Sequence, residues 1–380
     1  MIKGCQLFLT GAVLALLALG LMMVASASSR WDLRADQYEY FWRQLTWAGV
    51  GILGVVGLAM MNYRYLRPLA WPLFWVTVVV LSLCYVPVIG VAVNGEQRWI
   101  QVPFLGRVQP SEPAKLMVIV TLAAWYAQRK SEIRSFKNGF LYPGLIFALP
   151  LALIFFEKDM GTAVALGTAG VLVMFVAGVR LPYLLAAAGA GAAGLAAMVM
   201  LSPNRMRRIL AFQDLEAHKE GAGWQQWLAQ QAFGNGGLNG VGLGNGLVKQ
   251  MNFPEHHTDF IFPVIGEELG MWVSLAVIGA FAVITIMGAA IALNASDLFG
   301  RLLGFGVTAI IVVPAMMNIG VTTALLPNTG LPLPFVSYGG SNLVFTLAMV
   351  GVLLSVHRKG RVIDYTALPP MKDKRYEPKL

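Results

Sequence analysis

Ten apolar stretches of roughly membrane-spanning length dictate what this chain can fold into. They lie near residues 7–26, 44–62, 70–91, 113–128, 140–156, 160–178, 181–201, 260–292, 302–326 and 338–357, divided by polar or Gly/Pro-bearing breaks. A helix needs about 20 mainly apolar residues to cross a bilayer. In hydrocarbon each backbone N–H and C=O must find its partner inside the protein, which favours helices for such spans. With 57% hydrophobic and only 12% charged residues among 380, lipid must solvate much of the surface. The expected class is all-α: a polytopic membrane protein with about ten transmembrane helices over residues 1–361 and a flexible cytoplasmic tail at 362–380. The eighth stretch is long enough to tilt or to leave the bilayer in part, and the fourth and fifth are short.

The first stretch, with Lys3 before it and Ala25-Ser26-Ala27-Ser28 at its end, imitates a cleavable signal peptide. Its apolar run exceeds the roughly 7 to 15 residues of a signal core, so an uncleaved first helix is expected. Lys and Arg in short loops set orientation. A cytoplasmic N-terminus puts Arg64, Arg67, Arg129, Lys130, Arg134, Lys137, Arg180, Arg301 and the His357 to Arg361 segment on one side, with both termini inside. The net charge of +9 then reflects topology and contact with anionic lipid, and no nucleic-acid face is present. Cys5 and Cys84 sit in apolar stretches, so no disulfide framework is implied.

The same topology sends residues 27–43, 92–112, 157–159, 202–259 and 327–337 to the extracytoplasmic side, where nearly all the chemically suggestive residues fall. The 202–259 loop, between the seventh and eighth helices, is the longest. In it Trp224, Trp227 and Leu228 share one helical face, which suits a short helix at the membrane interface. A glycine run from Gly234 to Gly246 follows; it fits either tight turns against a ligand or a flexible connector.

Four polar constellations converge on that side. Pro254-Glu255-His256-His257-Thr258-Asp259 runs into Gly266-Glu267-Glu268 at the mouth of the eighth span, and carboxylates beside hydrocarbon are costly enough to suggest a site. Asn94-Gly95-Glu96-Gln97-Arg98-Trp99 precedes Gln109-Pro110-Ser111-Glu112, with Glu112 and Lys115 three apart and so neighbours on a helix; a plain ion pair ordering the bundle fits equally. Glu157-Lys158-Asp159 interrupts two apolar stretches and also fits a solvated turn. Asn328 to Ser341 is rich in Pro and Gly yet apolar, as irregular backbone lining a cavity is.

Taken in order, Arg98-Trp99-Ile100, Gln109-Pro110-Ser111-Glu112, Asp159-Met160-Gly161-Thr162, His257-Thr258-Asp259-Phe260-Ile261-Phe262 with Gly266-Glu267-Glu268, and Gly330-Leu331-Pro332 to Gly340-Ser341 resemble the SEDS family of shape, elongation, division and sporulation proteins over nearly the whole chain. Gly242-Leu243-Gly244-Asn245 and Asn318-Ile319-Gly320-Val321 look more like its FtsW branch than its RodA branch. The resemblance implies a peptidoglycan glycosyltransferase that polymerises lipid II into undecaprenyl-linked glycan outside the cytoplasmic membrane. It also implies a class B penicillin-binding transpeptidase and other divisome or elongasome membrane proteins as partners. The family's essential aspartate matches Asp259, its cavity Glu and Lys match Glu112 and Lys115, and its loop Arg and Trp match Arg98 and Trp99. Two positions depart: Lys158 and Pro263 stand where the family often has Pro and Ala, which puts local loop shape in doubt more than chemistry.

Such a reaction needs a base for the acceptor hydroxyl, cations for the departing pyrophosphate and a groove open to polyprenyl chains. Asp259 is the candidate base; a placed base typically contributes about 10²- to 10⁴-fold, most when its pKa nears ambient pH. Arg98, Lys115 and Arg208 are candidates to stabilise the pyrophosphate. Trp99, Glu112, Asp159, His257 and Ser337 complete the substrate-contacting set, His257 by positioning the loop around Asp259. Inversion from an alpha-linked donor to a beta-linked polymer needs no covalent intermediate. No protein metal motif is readable, although pyrophosphate is compatible with Mg²⁺ or Mn²⁺. Adjacent His256 and His257 lack the spacing of a zinc protease, Asp159 with Asp259 lacks the flanks of an aspartyl protease, and Ser337 and Ser341 lack triad partners. The competing readings are a lipid II flippase, with the same residues as headgroup handles, and a non-catalytic division scaffold.

Overall fold

The computed structural model describes residues 2–28, 38–87, 89–93, 96–102, 106–251 and 257–359. Asn94, Gly95, Pro254, Glu255, His256 and the 362–380 tail lie outside these. The helices are α1 (Ile2–Ser28), α2 (Glu39–Met60), α3 (Leu66–Leu83), α4 (Ser111–Gln128), α5 (Tyr142–Phe156), α6 (Met160–Ala177), α7 (Leu181–Met200), α8 (Pro203–Gln213), α9 (Trp224–Gly236), α10 (Ile261–Leu293), α11 (Leu298–Thr322) and α12 (Gly340–Lys359). Among the described residues, nine helices are long and apolar enough to cross a membrane. The fifth span is less short than its sequence suggests, because a π-helical turn at Phe136–Leu141 extends it to 21 residues.

The fourth expected span, α4, is the one of the ten that does not meet that test among the described residues, and its surroundings explain why. It carries Glu112 and Lys115, and α3, α5, α6 and α11 sheathe it so that every residue from Val118 to Ala127 is buried. A helix that meets protein on all sides can hold polar residues that lipid would penalise. At the other extreme, only Leu184 of the Ala- and Gly-rich α7 is buried. Its neighbours are α6 and α8, so most of its surface is left to the bilayer.

Between α3 and α4 the chain forms something the apolar pattern does not announce. Strands β1 (Gly90–Val93), β2 (Glu96–Val102) and β3 (Gly106–Val108) pair antiparallel in the order β1-β2-β3, with Trp99 opposite Val91 and Ile100 opposite Val108. The third span therefore ends at Leu83, several residues before the expected 91.

The long loop is ordered over 203–251, with α8 and α9 in it. In α9, Trp224 and Trp227 stack at 5.6 Å, while Leu228, Ala229 and Ala232 are fully buried. The helix packs on α10 and α11, so its apolar side is spent on protein instead of the membrane interface. The glycine run is equally committed. At Gly270 (φ 82°, ψ −179°) α10 breaks, a conformation open only to glycine. The carbonyls of Glu267 and Glu268, freed by the break, accept from Val241 N–H (2.9 Å) and Gly242 N–H (3.0 Å). Buried backbone carbonyls need partners, and the run between α9 and α10 supplies them.

Candidate active site

One large cavity, of about 1910 Å³, opens where the connections at 98–109, 158–162, 201–208, 257–259 and 327–342 converge. Arg98, Trp99, Glu112, Asp159, Arg208, His257 and Asp259 all line it. Leu195, Met198 and Val199 of the lipid-exposed α7 supply an apolar wall. Lys115 is absent from the lining: it stands behind Glu112 with Nζ 2.9 Å from the carboxylate, both side chains buried.

Asp259 is held by its backbone. Three consecutive carbonyls each accept a hydrogen bond: His257 from Tyr338 N–H (2.9 Å), Thr258 from Ser337 Oγ (2.6 Å) and Asp259 from Asn318 Nδ2 (2.6 Å). Asn318 also donates to Leu331 O (2.6 Å), tying the acid to the 328–341 segment. Gly330 closes against the carboxylate itself, where an added Cβ would stand 3.3 Å from Oδ2, and its φ of 67° is one that glycine adopts without strain. His257 stacks obliquely on Tyr40, centroids 5.0 Å apart, with Tyr338 at 5.8 Å.

Ser337 is therefore placed differently from its expected role. It is buried and outside the cavity lining; its hydroxyl accepts from Leu333 N–H (2.7 Å) while donating to Thr258, a strut under Asp259. Asn318 does comparable work, although the sequence offers it only as part of the FtsW-like stretch Asn318-Ile319-Gly320-Val321. Gln44 of α2 is a third strut, donating to Ser337 O (3.0 Å) and accepting from Gly339 N–H (3.2 Å).

The opposite wall is built on Asp159, the N-cap of α6, which accepts from Thr162 N–H (3.0 Å) and from Gln109 Nε2 (3.0 Å). Arg98 Nη1 lies 3.6 Å from Oδ2, the same oxygen that accepts from Gln109, while Thr162 N–H is taken by Oδ1. Glu157, two residues earlier, is 1% exposed, and neither carboxylate oxygen has a hydrogen-bond partner. Burial first, and the neighbouring Asp159 second, push its carboxyl up to about 8, with the Cys84 thiol alongside. A solvated turn is excluded for that acid.

Glu267 and Glu268, which the sequence offers as site candidates, point away from the cavity into a buried knot. Glu268 binds Lys249 Nζ (2.7 Å), Ser26 Oγ (2.5 Å) and Gly244 N–H (3.0 Å). Glu267 accepts from the N–H groups of Leu247 (3.1 Å) and Val248 (3.2 Å) and from Asn235 (3.2 Å). Among the described residues, no group of three or more His, Cys, Asp or Glu side chains is placed to hold a metal ion.

Known proteins resemble this chain over most of its length. The family model for FtsW, RodA and SpoVE, described as cell cycle proteins, matches residues 6–362. The probable peptidoglycan glycosyltransferase FtsW of Trichlorobacter lovleyi is 38% identical over 346 residues, covering 90% of this chain and 91% of its own. Stage V sporulation protein E of Bacillus subtilis is 37% identical over 359 residues, covering 94% and 98%. A solved chain from a peptidoglycan synthase complex that coordinates polymerization and crosslinking superimposes with a TM-score of 0.78 at 29% identity, covering 93% of this chain and 98% of its own. The rod shape determining protein RodA of Thermus thermophilus gives 0.68 at 28% identity, covering 93% and 96%. A family match across nearly the whole length, with matching membrane architecture, makes this chain a member of the FtsW, RodA and SpoVE family, the SEDS proteins.

Proposed function

We propose that this multi-pass membrane protein is a peptidoglycan glycosyltransferase that polymerises lipid II at the outer face of the cytoplasmic membrane. The observation that carries the reading is the cavity, which sets one acid on a pinned backbone, Asp259, against cations and an apolar wall from a lipid-facing helix. A soluble sugar needs no such wall; a polyprenyl-linked one does. Arg64, Arg67, Arg129, Lys130, Arg134, Lys137, Arg180 and Arg301, none of which lines the cavity, support cytoplasmic termini.

In the proposed step the Asp259 carboxylate takes the proton of the acceptor hydroxyl. The oxygen forms its bond to the anomeric carbon of the donor sugar from the face opposite the pyrophosphate. The carbon–oxygen bond to pyrophosphate breaks and its electron pair leaves with the polyprenyl pyrophosphate, inverting the centre. Arg98 and Arg208 offer charge to the leaving group, and Glu112, backed by Lys115, offers an acceptor to sugar hydroxyls. A divalent cation, Mg²⁺ or Mn²⁺, would arrive on the pyrophosphate, since the wall acids are already engaged by Lys115, Gln109 and Arg98. By analogy with the solved synthase complex, a class B penicillin-binding protein is the partner proposed for crosslinking. The FtsW relatives favour a division role within the divisome over an elongasome one.

The test is the full chain in nanodiscs with labelled lipid II, with and without its transpeptidase, read as muramidase-sensitive glycan on a gel and in parallel as lipid II translocation in vesicles. Polymer supports the glycosyltransferase. Translocation without polymer would establish the flippase instead, and neither activity would leave the scaffold.

A further inference from the structure

A second, smaller pocket of about 460 Å³ adjoins the main cavity beneath α8 and α9. The two share Asn204, Arg208, Gln225 and Asn328 as common wall, whereas Arg207 lines only the smaller one and Asp259 only the larger. Its chemistry is one-sided. Two arginines and three amides face it, and no acid does. Arg207 and Arg208 are exposed and enter none of the ion pairs among the described residues, in contrast to Arg98, which is engaged by Asp159. The wall is firm, since Asn328 Nδ2 donates to Gln225 Oε1 (2.8 Å) and Gln226, next along α9, donates to Leu326 O (2.8 Å). Two unpaired guanidinium groups on a floor of amides suit an anion with several oxygens, for which the arginine fork is fitted.

The glycosyltransferase reading, on which this inference rests, requires two pyrophosphates in the protein at once. One is the leaving group and must lie at the anomeric carbon that Asp259's acceptor oxygen attacks. The other belongs to the acceptor and is separated from its reacting hydroxyl by the sugar unit, so it has to be held to one side of the reacting centre. We infer that the Arg207/Arg208 pocket is the subsite for this second, non-reacting pyrophosphate, that of the acceptor lipid. Arg208, on the shared wall, faces both chambers, and Arg207 belongs to the acceptor alone.

The two roles separate kinetically. A contact to a group that does not change charge in the reaction supports ground state and transition state equally, so its loss raises KM and leaves kcat; a contact to the leaving group lowers kcat. The experiment is steady-state polymerisation by the full chain in phosphatidylcholine nanodiscs for wild type, Arg207→Ala and Arg207→Lys. It is paired with lipid II binding to the same substitutions in an Asp259→Asn background, and with melting temperatures for all. Expected for Arg207→Ala is a rise of about tenfold in KM and in the dissociation constant, the size of one lost charge-assisted hydrogen bond, with kcat and melting unchanged and partial rescue by Arg207→Lys. An unchanged KM, or a fall in kcat at constant KM, overturns the assignment. So does a KM that responds to Arg207→Ala only when phosphatidylglycerol replaces phosphatidylcholine, which would mark a phospholipid headgroup site. Absence of polymer from wild type would sink the glycosyltransferase reading itself, a different outcome from wild-type polymer with indifferent variants.

Discussion

Two buried glutamate–lysine pairs are close in contact distance, 2.9 Å and 2.7 Å, and unlike in setting. Lys115 lies 2.9 Å from Glu112 on one helix, and Glu112 also faces the cavity, with Asn342 (3.3 Å) as its further side-chain partner. Lys249 lies 2.7 Å from Glu268, and there Ser26 and Gly244 fill the remaining carboxylate positions while Lys249 also donates to Ser26 O (3.2 Å). The second pair joins α1, α10 and the 237–250 segment and is saturated; the first keeps capacity turned toward open space. A saturated buried pair has nothing left to offer a ligand, so its whole effect is on the fold. A pair with one face on a cavity can exchange a protein contact for a substrate contact. Composition alone does not separate the two.

The difference can be broken most readily at Lys249. Lys249→Met strands Glu268 in a fully buried site, and removing one partner of such a pair costs about 3–5 kcal/mol. The expected outcome is a large fall in detergent melting temperature and loss of polymerisation together, with Lys249→Met/Glu268→Leu recovering much of the stability. If Lys249→Met melts like wild type, the knot is not holding the loop. Glu112→Gln sharpens the contrast from the other side: it keeps the shape and should cut polymerisation by about tenfold or more, near 1.4 kcal/mol, while melting moves far less than for Lys249→Met. Equal damage to melting and turnover would make the two pairs the same kind of object.

A third contrast, read as a slope against pH and not as a loss at one pH, is at Glu157, which has no lysine beside it and only the Cys84 thiol as a side-chain neighbour. Its carboxyl is raised from 4.5 to about 8. Between those values the unfolded chain releases a proton that the native protein keeps, so stability falls as pH rises, by at most about 1.4 kcal/mol per pH unit. Melting temperature measured from pH 5 to 8 should decline more steeply for wild type than for Glu157→Gln. Parallel slopes would mean that Glu157 is ionised in the fold.

What the sequence made legible follows from what is local. Length and apolarity identify the spans, and the cavity-lining residues Arg98, Glu112, Asp159 and Asp259 stand out because charge beside hydrocarbon is conspicuous. The strands β1 to β3 leave little pattern to read, because β1 and β3 span only four and three residues and the seven-residue β2 lacks a clean apolar alternation. Glu267 and Glu268 were misleading for the same reason that Asp259 was conspicuous: an acid at a helix mouth reads alike whether it meets substrate or a lysine 19 residues upstream. Ser337 and Asn318 act through carbonyls 79 and 59 residues away, and no local signal carries contacts of that range.

The most direct trial of the account is Asp259→Asn, whose amide keeps the size of the carboxylate and loses its basicity, leaving untouched the three backbone hydrogen bonds that pin residues 257–259. Wild type and variant would be compared in the same nanodiscs for lipid II polymerisation, lipid II binding and melting temperature. Loss of about 10² or more in kcat, with binding and melting preserved, is the predicted result. A variant that polymerises at the wild-type rate would contradict Asp259 as the base and with it the central claim about this cavity.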